Sequence, residues 1–153
     1  MSSVLVKKDR RKTISVKLFL ISPMNLTTLL GPLMKMANEF RQKFNVANSW
    51  SQQQRDMQRD LIVEEFREFL VEASKMQPVN VAARRECLKE LADLVYVCYQ
   101  YAANLGWNLD EALARVHESN LSKLDYDGKP ITRADGKVLK GPNYAPPNLD
   151  DLV

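Results

Sequence analysis

Histidine and cysteine are scarce in this chain, with one His and two Cys in 153 residues. His117 has no His or Cys partner at ligand spacing and no Cys-x-x-Cys pair occurs, so a zinc site is not supported. Cys87 and Cys98 are eleven residues apart. On one helix that separation is roughly 16 Å, beyond disulfide reach, and reduced thiols point to a cytoplasmic protein. Five Gly and seven Pro are too few for a collagen-like or disordered chain, and no apolar run is long enough to span a bilayer. With 45% hydrophobic and 27% charged residues, the composition is that of one globular domain with a buried core.

The net charge of +3 is unevenly placed. Lys7, Lys8, Arg10, Arg11, Lys12 and Lys17 against Asp9 make the first seventeen residues net +5, which leaves −2 for the rest. A slightly acidic body lacks the electrostatic footprint of a polynucleotide-binding domain, so any such binding would rest on the arm alone. The basic cluster and the apolar stretch Ile14–Ile21 mimic a secretory signal. Lys17 interrupts that stretch and no small-residue cleavage site follows before Pro23, which argues against export. Residues 1–23 therefore read as a basic extension and residues 24–153 as the folded domain.

The spacing predicts four helices and an all-α bundle. Leu29, Leu30, Leu33, Met36, Ala37, Phe40 and Phe44 form an apolar stripe over Leu26–Phe44, which Gly31-Pro32 should start or kink. Residues 45–50 read as a loop. Ser51 and Gln54 make a capping box for a second helix to about Met76, which Pro78 ends. A third helix, about Val79–Leu105, closes at Gly106 in a left-handed cap. Asn108 and Glu111 make a second capping box for a fourth helix, about Leu109–Lys123. Beyond it, Asp127-Gly128-Lys129 and Asp135-Gly136-Lys137 signal turns of a small hairpin, and Gly141–Pro147 an extended tail. Among the aromatics, Phe40 reads as core or pocket floor, and Trp50, in the loop, as a residue able to stack on a base. Met34, Met36 and Met57 read as core filling.

The carboxylates are less ordinary. Glu65, Glu68 and Glu72 share one stripe of the second helix, with Glu64 beside it, and Glu90 and Asp93 stand three apart on the third. Asp93 lies among Leu91, Ala92, Leu94, Val95, Tyr96 and Val97 and is expected to be buried, where an unpaired carboxylate would be costly. Two such pairs on neighbouring helices can converge on a hard divalent cation, which wants an all-oxygen cage. The plainer alternative pairs Glu64 with Arg67 and Lys89 with Asp93 as ordinary surface salt bridges.

Glu64-Glu65-x-x-Glu68, then twenty-one residues, then Glu90-x-x-Asp93 resembles the signature of the all-α nucleoside triphosphate pyrophosphohydrolases, the MazG-like and phosphoribosyl-ATP pyrophosphohydrolase-like group. Leu91-Ala92-Asp93-Leu94-Val95-Tyr96 and the run from His117 through the Gly-Lys turns to Tyr144 are similar to bacterial and phage members. The resemblance covers about Met24 to Leu149. It implies hydrolysis of a nucleoside triphosphate between the α and β phosphates in a bacterial or phage-infected cytoplasm, for nucleotide-pool control. It implies Mg²⁺ or Mn²⁺ on Glu65, Glu68, Glu90 and Asp93, with Glu64 supporting the cage or orienting water. Asn120 and Lys123 would contact phosphate or sugar, with Trp50 as a base contact, and the exposed Gly-Lys turns offer either a basic flap or solvated lysines. A homodimer or dimer of dimers is also implied. The signature reports chemistry and not base; the expected substrate is a purine deoxynucleotide such as dGTP. The alternatives are phosphoribosyl-ATP hydrolysis and a non-enzymatic helical binding module that uses the basic arm.

Overall fold

The computed structural model describes residues 30–153. The basic extension and the first part of the first expected helix lie outside the described residues. Within them are four helices: α1 (Pro32–Lys43), α2 (Gln52–Lys75), α3 (Val81–Leu105) and α4 (Leu109–Leu121). None is long and apolar enough to cross a membrane. The long antiparallel pair α2 and α3 is the backbone of the fold; α1 packs across α3, and the chief contacts of α4 beyond it are with α1.

Local chemistry explains the boundaries. Pro32 occupies the first helical position of α1, where its missing N–H costs nothing. Gly31 has no side chain with which to cap the helix, and the cap comes from α4 instead: Asp110 Oδ2 accepts the Met34 N–H at 3.0 Å. A Cβ on Gly31 would stand 2.6 Å from that carboxyl, so the close approach requires glycine. Ser51 and Asn108 cap α2 and α4, accepting the Gln54 and Glu111 N–H groups at 3.3 and 3.2 Å. The second capping box is only half formed, because Glu111 turns its carboxylate to Arg115 at 2.9 Å. α3 starts two residues later than expected because Asn80 caps it through the Ala83 N–H at 3.0 Å. Gly106, at φ +77°, ends it as expected.

The buried core is small and lies at one end of the molecule: Met34 and Ala37 of α1 against Tyr99, Ala102 and Ala103 of α3, with Leu30, Trp107 and Leu109 packed around them. Polar groups are tied into the same end. The Arg41 guanidinium is buried without a carboxylate and donates to Asn48 Oδ1, the Ala47 carbonyl and Asn104 Oδ1 at 2.7 to 2.9 Å. Asn104 in turn donates to the Ser49 carbonyl at 2.8 Å, so the 44–51 loop is pinned to the end of α3. Away from this end the helices keep large apolar side chains in solvent. Met34 is core as expected, but Met36 and Met57 are 51% and 42% exposed.

The hairpin is reduced to one antiparallel bridge, Thr132 with Val138. The tail runs back along α4: Ser119 Oγ donates to the Ala145 carbonyl at 2.8 Å, and Arg115 binds the Asp151 carboxylate and the Asn148 carbonyl. A short 3₁₀ turn, Asp150–Leu152, which sequence periodicity does not foreshadow, finishes the chain.

Candidate metal and phosphate site

The α2–α3 hairpin brings the carboxylates level. Glu65 stands ten residues before the end of α2 and Glu90 nine after the start of α3, so two antiparallel helices joined by a short loop place them at the same height. Glu65, Glu68 and Glu90 each offer a carboxylate oxygen within 4.8 Å of the others. Oxygens around an octahedral Mg²⁺ at about 2.1 Å are separated by roughly 3 to 4 Å, so a small side-chain adjustment fits the three to one ion. The donor set is all oxygen, as such an ion requires.

The electrostatics agree with the geometry. Burial, then the charges of Glu68, Asp93, Glu90 and Glu64 in decreasing order, push the Glu65 carboxyl above the ordinary carboxylate range. Among the described residues neither Glu65 nor Glu68 has a cationic partner. Glu90 is the most constrained member. It is 9% exposed; its Oε1 accepts from the Lys89 ammonium at 3.0 Å, and its Oε2 is buried with no hydrogen-bond partner. A buried carboxylate with one unsatisfied oxygen, clustered with two further carboxylates, is costly unless a cation completes it.

The expected burial of Asp93 is corrected here. Its side chain is 44% exposed and paired with Lys89 at 2.8 Å, so the plainer pairing does form at this position. α3 is not buried all round: Leu88, Leu91 and Val95 lie on an open face, and Asp93 is at the edge of the buried stripe. Glu90 is at its centre, on the stripe of Cys87, Leu94 and Val97, and counting from Cys87 would have found it. Asp93 lies outside the 4.8 Å group, yet its charge acts on Glu65. The other surface pair, Glu64 with Arg67, is not formed. Arg67 instead lines a cavity of about 270 Å³ with Glu68, Val71, Glu72 and Glu90, a placement that the sequence reading missed.

The remaining candidates stand elsewhere. Lys123 donates to Asn120 Oδ1 at 2.6 Å near the end of α4, whose chief contact is α1 rather than α2. Trp50 is exposed and meets Trp107 edge to face at 6.1 Å. It precedes Glu65 by fifteen residues, about 22 Å at the helical rise, so the fold does not bring it to the carboxylates of its own chain. Phe40 stacks on Phe44 at 4.4 Å on the surface and is neither core nor a wall of the carboxylate cavity. The turn lysines 129, 137 and 140 are exposed, with Lys140 over the Tyr144 ring.

Comparison with curated proteins finds no significant match. A family model described as phosphoribosyl-ATP pyrophosphohydrolase matches residues 33–120, a span that contains α2 and α3 and all but one residue each of α1 and α4, and with them Glu64, Glu65, Glu68, Glu90 and Asp93. That span is more than half of the chain, and its four helices without strands agree with the match. The chain belongs to the phosphoribosyl-ATP pyrophosphohydrolase family, within the all-α MazG-like superfamily of pyrophosphohydrolases.

Proposed function

We propose that this protein hydrolyses a nucleoside triphosphate to monophosphate and pyrophosphate, with Mg²⁺ or Mn²⁺, in the control of nucleotide pools. One observation carries the reading: the buried Glu90 has an unsatisfied oxygen in a cluster with Glu65 and Glu68. Those three carboxylates would hold the ion, with Asp93 beside them. When bound, it would neutralise phosphate charge and acidify an attacking water. Glu64, on the same turn of α2, is assigned to orienting that water, which it can do as an exposed carboxylate with no ion pair among the described residues. Asn120 and Lys123 are assigned to phosphate or sugar contacts; lysine suits phosphate as a point charge. Because α4 does not pack on α2 as its main partner, these two side chains are best supplied to the site of a second copy.

A second copy also fits the open apolar face between α1 and α3. Leu33, Met36, Leu88, Leu91 and Val95 are all at least 40% exposed and line one groove of about 330 Å³. Contiguous exposed apolar surface of this kind marks an interface, and a dimer or dimer of dimers would cover it.

A purine deoxynucleotide such as dGTP is the first choice of substrate. Phosphoribosyl-ATP is the second, favoured by the description of the matching family. That substrate needs a further phosphate contact, and Arg84 at the start of α3 is exposed and has no ion pair among the described residues. The test is pyrophosphate release from ribo- and deoxyribonucleoside triphosphates and phosphoribosyl-ATP, with the intact chain, Glu90→Gln and Asp93→Asn. Metal-dependent turnover lost in Glu90→Gln supports the reading and names the substrate. No turnover of any of them by the intact chain overturns it.

A further inference from the structure

The cations around the carboxylate cavity are not alike. Lys75 is held by Glu72 at 2.6 Å, and Lys89 bridges Glu90 and Asp93 at 3.0 and 2.8 Å. Arg67 lines the same cavity as Glu68, Glu72 and Glu90, yet among the described residues it takes part in no ion pair or side-chain hydrogen bond. Its neighbour at i−3 on α2, Glu64, is a carboxylate, so a local partner is within helical reach and is not used. Beside Glu68, Glu72 and Glu90, this exposed guanidinium keeps its five donors free among the described residues.

We infer that Arg67 is a substrate-binding residue that grips the phosphate chain from within the cavity it lines with Glu68 and Glu90. This rests on the metal-dependent reading above and adds a recognition group to it. A triphosphate carries more negative charge than one divalent cation cancels, and the carboxylates that hold the ion repel the remainder. The site therefore needs a cation that its own acids have not consumed. Arg67 meets that need, and the planar guanidinium matches two phosphate oxygens at once. Glu90 is the independent sign that a ligand belongs in this cavity: it is nine-tenths buried, lines the same space, and has one oxygen with no partner. The contact is to phosphate and not to base, so it serves whichever nucleotide is bound.

The experiment uses the full chain and two probes, Mn²⁺ alone and then inorganic triphosphate at saturating Mn²⁺, which presents the phosphate chain without sugar or base. Calorimetric titrations compare wild type, Arg67→Gln and Arg67→Lys. Mn²⁺ affinity is expected to stay within about twofold in all three. Triphosphate affinity is expected to fall about tenfold in Arg67→Gln, equivalent to about 1.4 kcal/mol, and less in Arg67→Lys, which restores the charge without the fork. With substrate, KM should rise more than kcat falls. Normal Mn²⁺ binding with unchanged triphosphate affinity in Arg67→Gln overturns the role of Arg67 alone. Failure of the wild-type chain to bind Mn²⁺ overturns the metal reading and this inference together, and because that titration is read first the two failures are distinct.

Discussion

Glu90 accepts a hydrogen bond from the Lys89 ammonium on one carboxylate oxygen, at 3.0 Å, and buries the other with no partner. A residue arranged only for stability would satisfy both oxygens or expose one. Half-satisfied, Glu90 costs the fold something that a cation bound between it, Glu65 and Glu68 would return.

Replacing Glu90 with Gln should therefore separate function from stability. Hydrolysis with Mg²⁺ or Mn²⁺ is expected to drop by about 100-fold or more, equivalent to about 2.7 kcal/mol of lost transition-state stabilisation. The melting temperature without metal should not fall, and the rise that Mn²⁺ produces in the wild type should vanish. Thermal melts with and without Mn²⁺ check both; a strongly destabilised variant with intact activity would contradict the assignment.

Asp110 is a structural counterpart at the other end of α3. Its Oδ1 accepts the Tyr99 hydroxyl at 3.1 Å and its Oδ2 the Met34 N–H at 3.0 Å, which ties α1, α3 and α4 together. Asp110→Ala leaves a buried phenol and the first turn of α1 without their acceptor. The expected cost is about 1 to 3 kcal/mol in urea unfolding, with Mn²⁺ binding unchanged.

Tyr99 makes the stability of the metal-free protein pH-dependent in the alkaline range. Burial first, then the Asp110 charge and hydrogen bond, raise its phenol from 10 to about 12. The folded state therefore keeps a proton that the unfolded state loses, and the stabilisation present below pH 10 declines as pH rises through that window. Tyr99→Phe should flatten that part of the difference between wild-type and variant melting curves, measured from pH 9 to 12.

The apolar groove makes a prediction about assembly. Glutamate at both Leu91 and Val95, which are 41% and 42% exposed, should cost a lone chain little while placing two charges on the proposed contact. Sedimentation equilibrium should then show a monomer where the wild type associates. A wild-type chain that is monomeric at every concentration tested would remove the second copy from the proposal.

Much of this protein could be read from its residues alone, because the relevant signals are local. Periodicity and caps located four helices to within a few residues, since Ser51, Asn108 and Gly106 each act on the backbone beside them. The pattern Glu64-Glu65-x-x-Glu68 with Glu90-x-x-Asp93 indicated the family. What the sequence could not decide was how each side chain divides between core, partner and solvent. That depends on which helix faces which, and it put Glu90 rather than Asp93 in the buried position, gave Asp93 to Lys89, and left Arg67 in the carboxylate cavity without an ion pair among the described residues. It also set Trp50 about four helical turns from the carboxylates and made Asp110 the cap of a helix 76 positions before it. Such relationships come from packing between distant segments, where distance along the chain carries no information about distance in space.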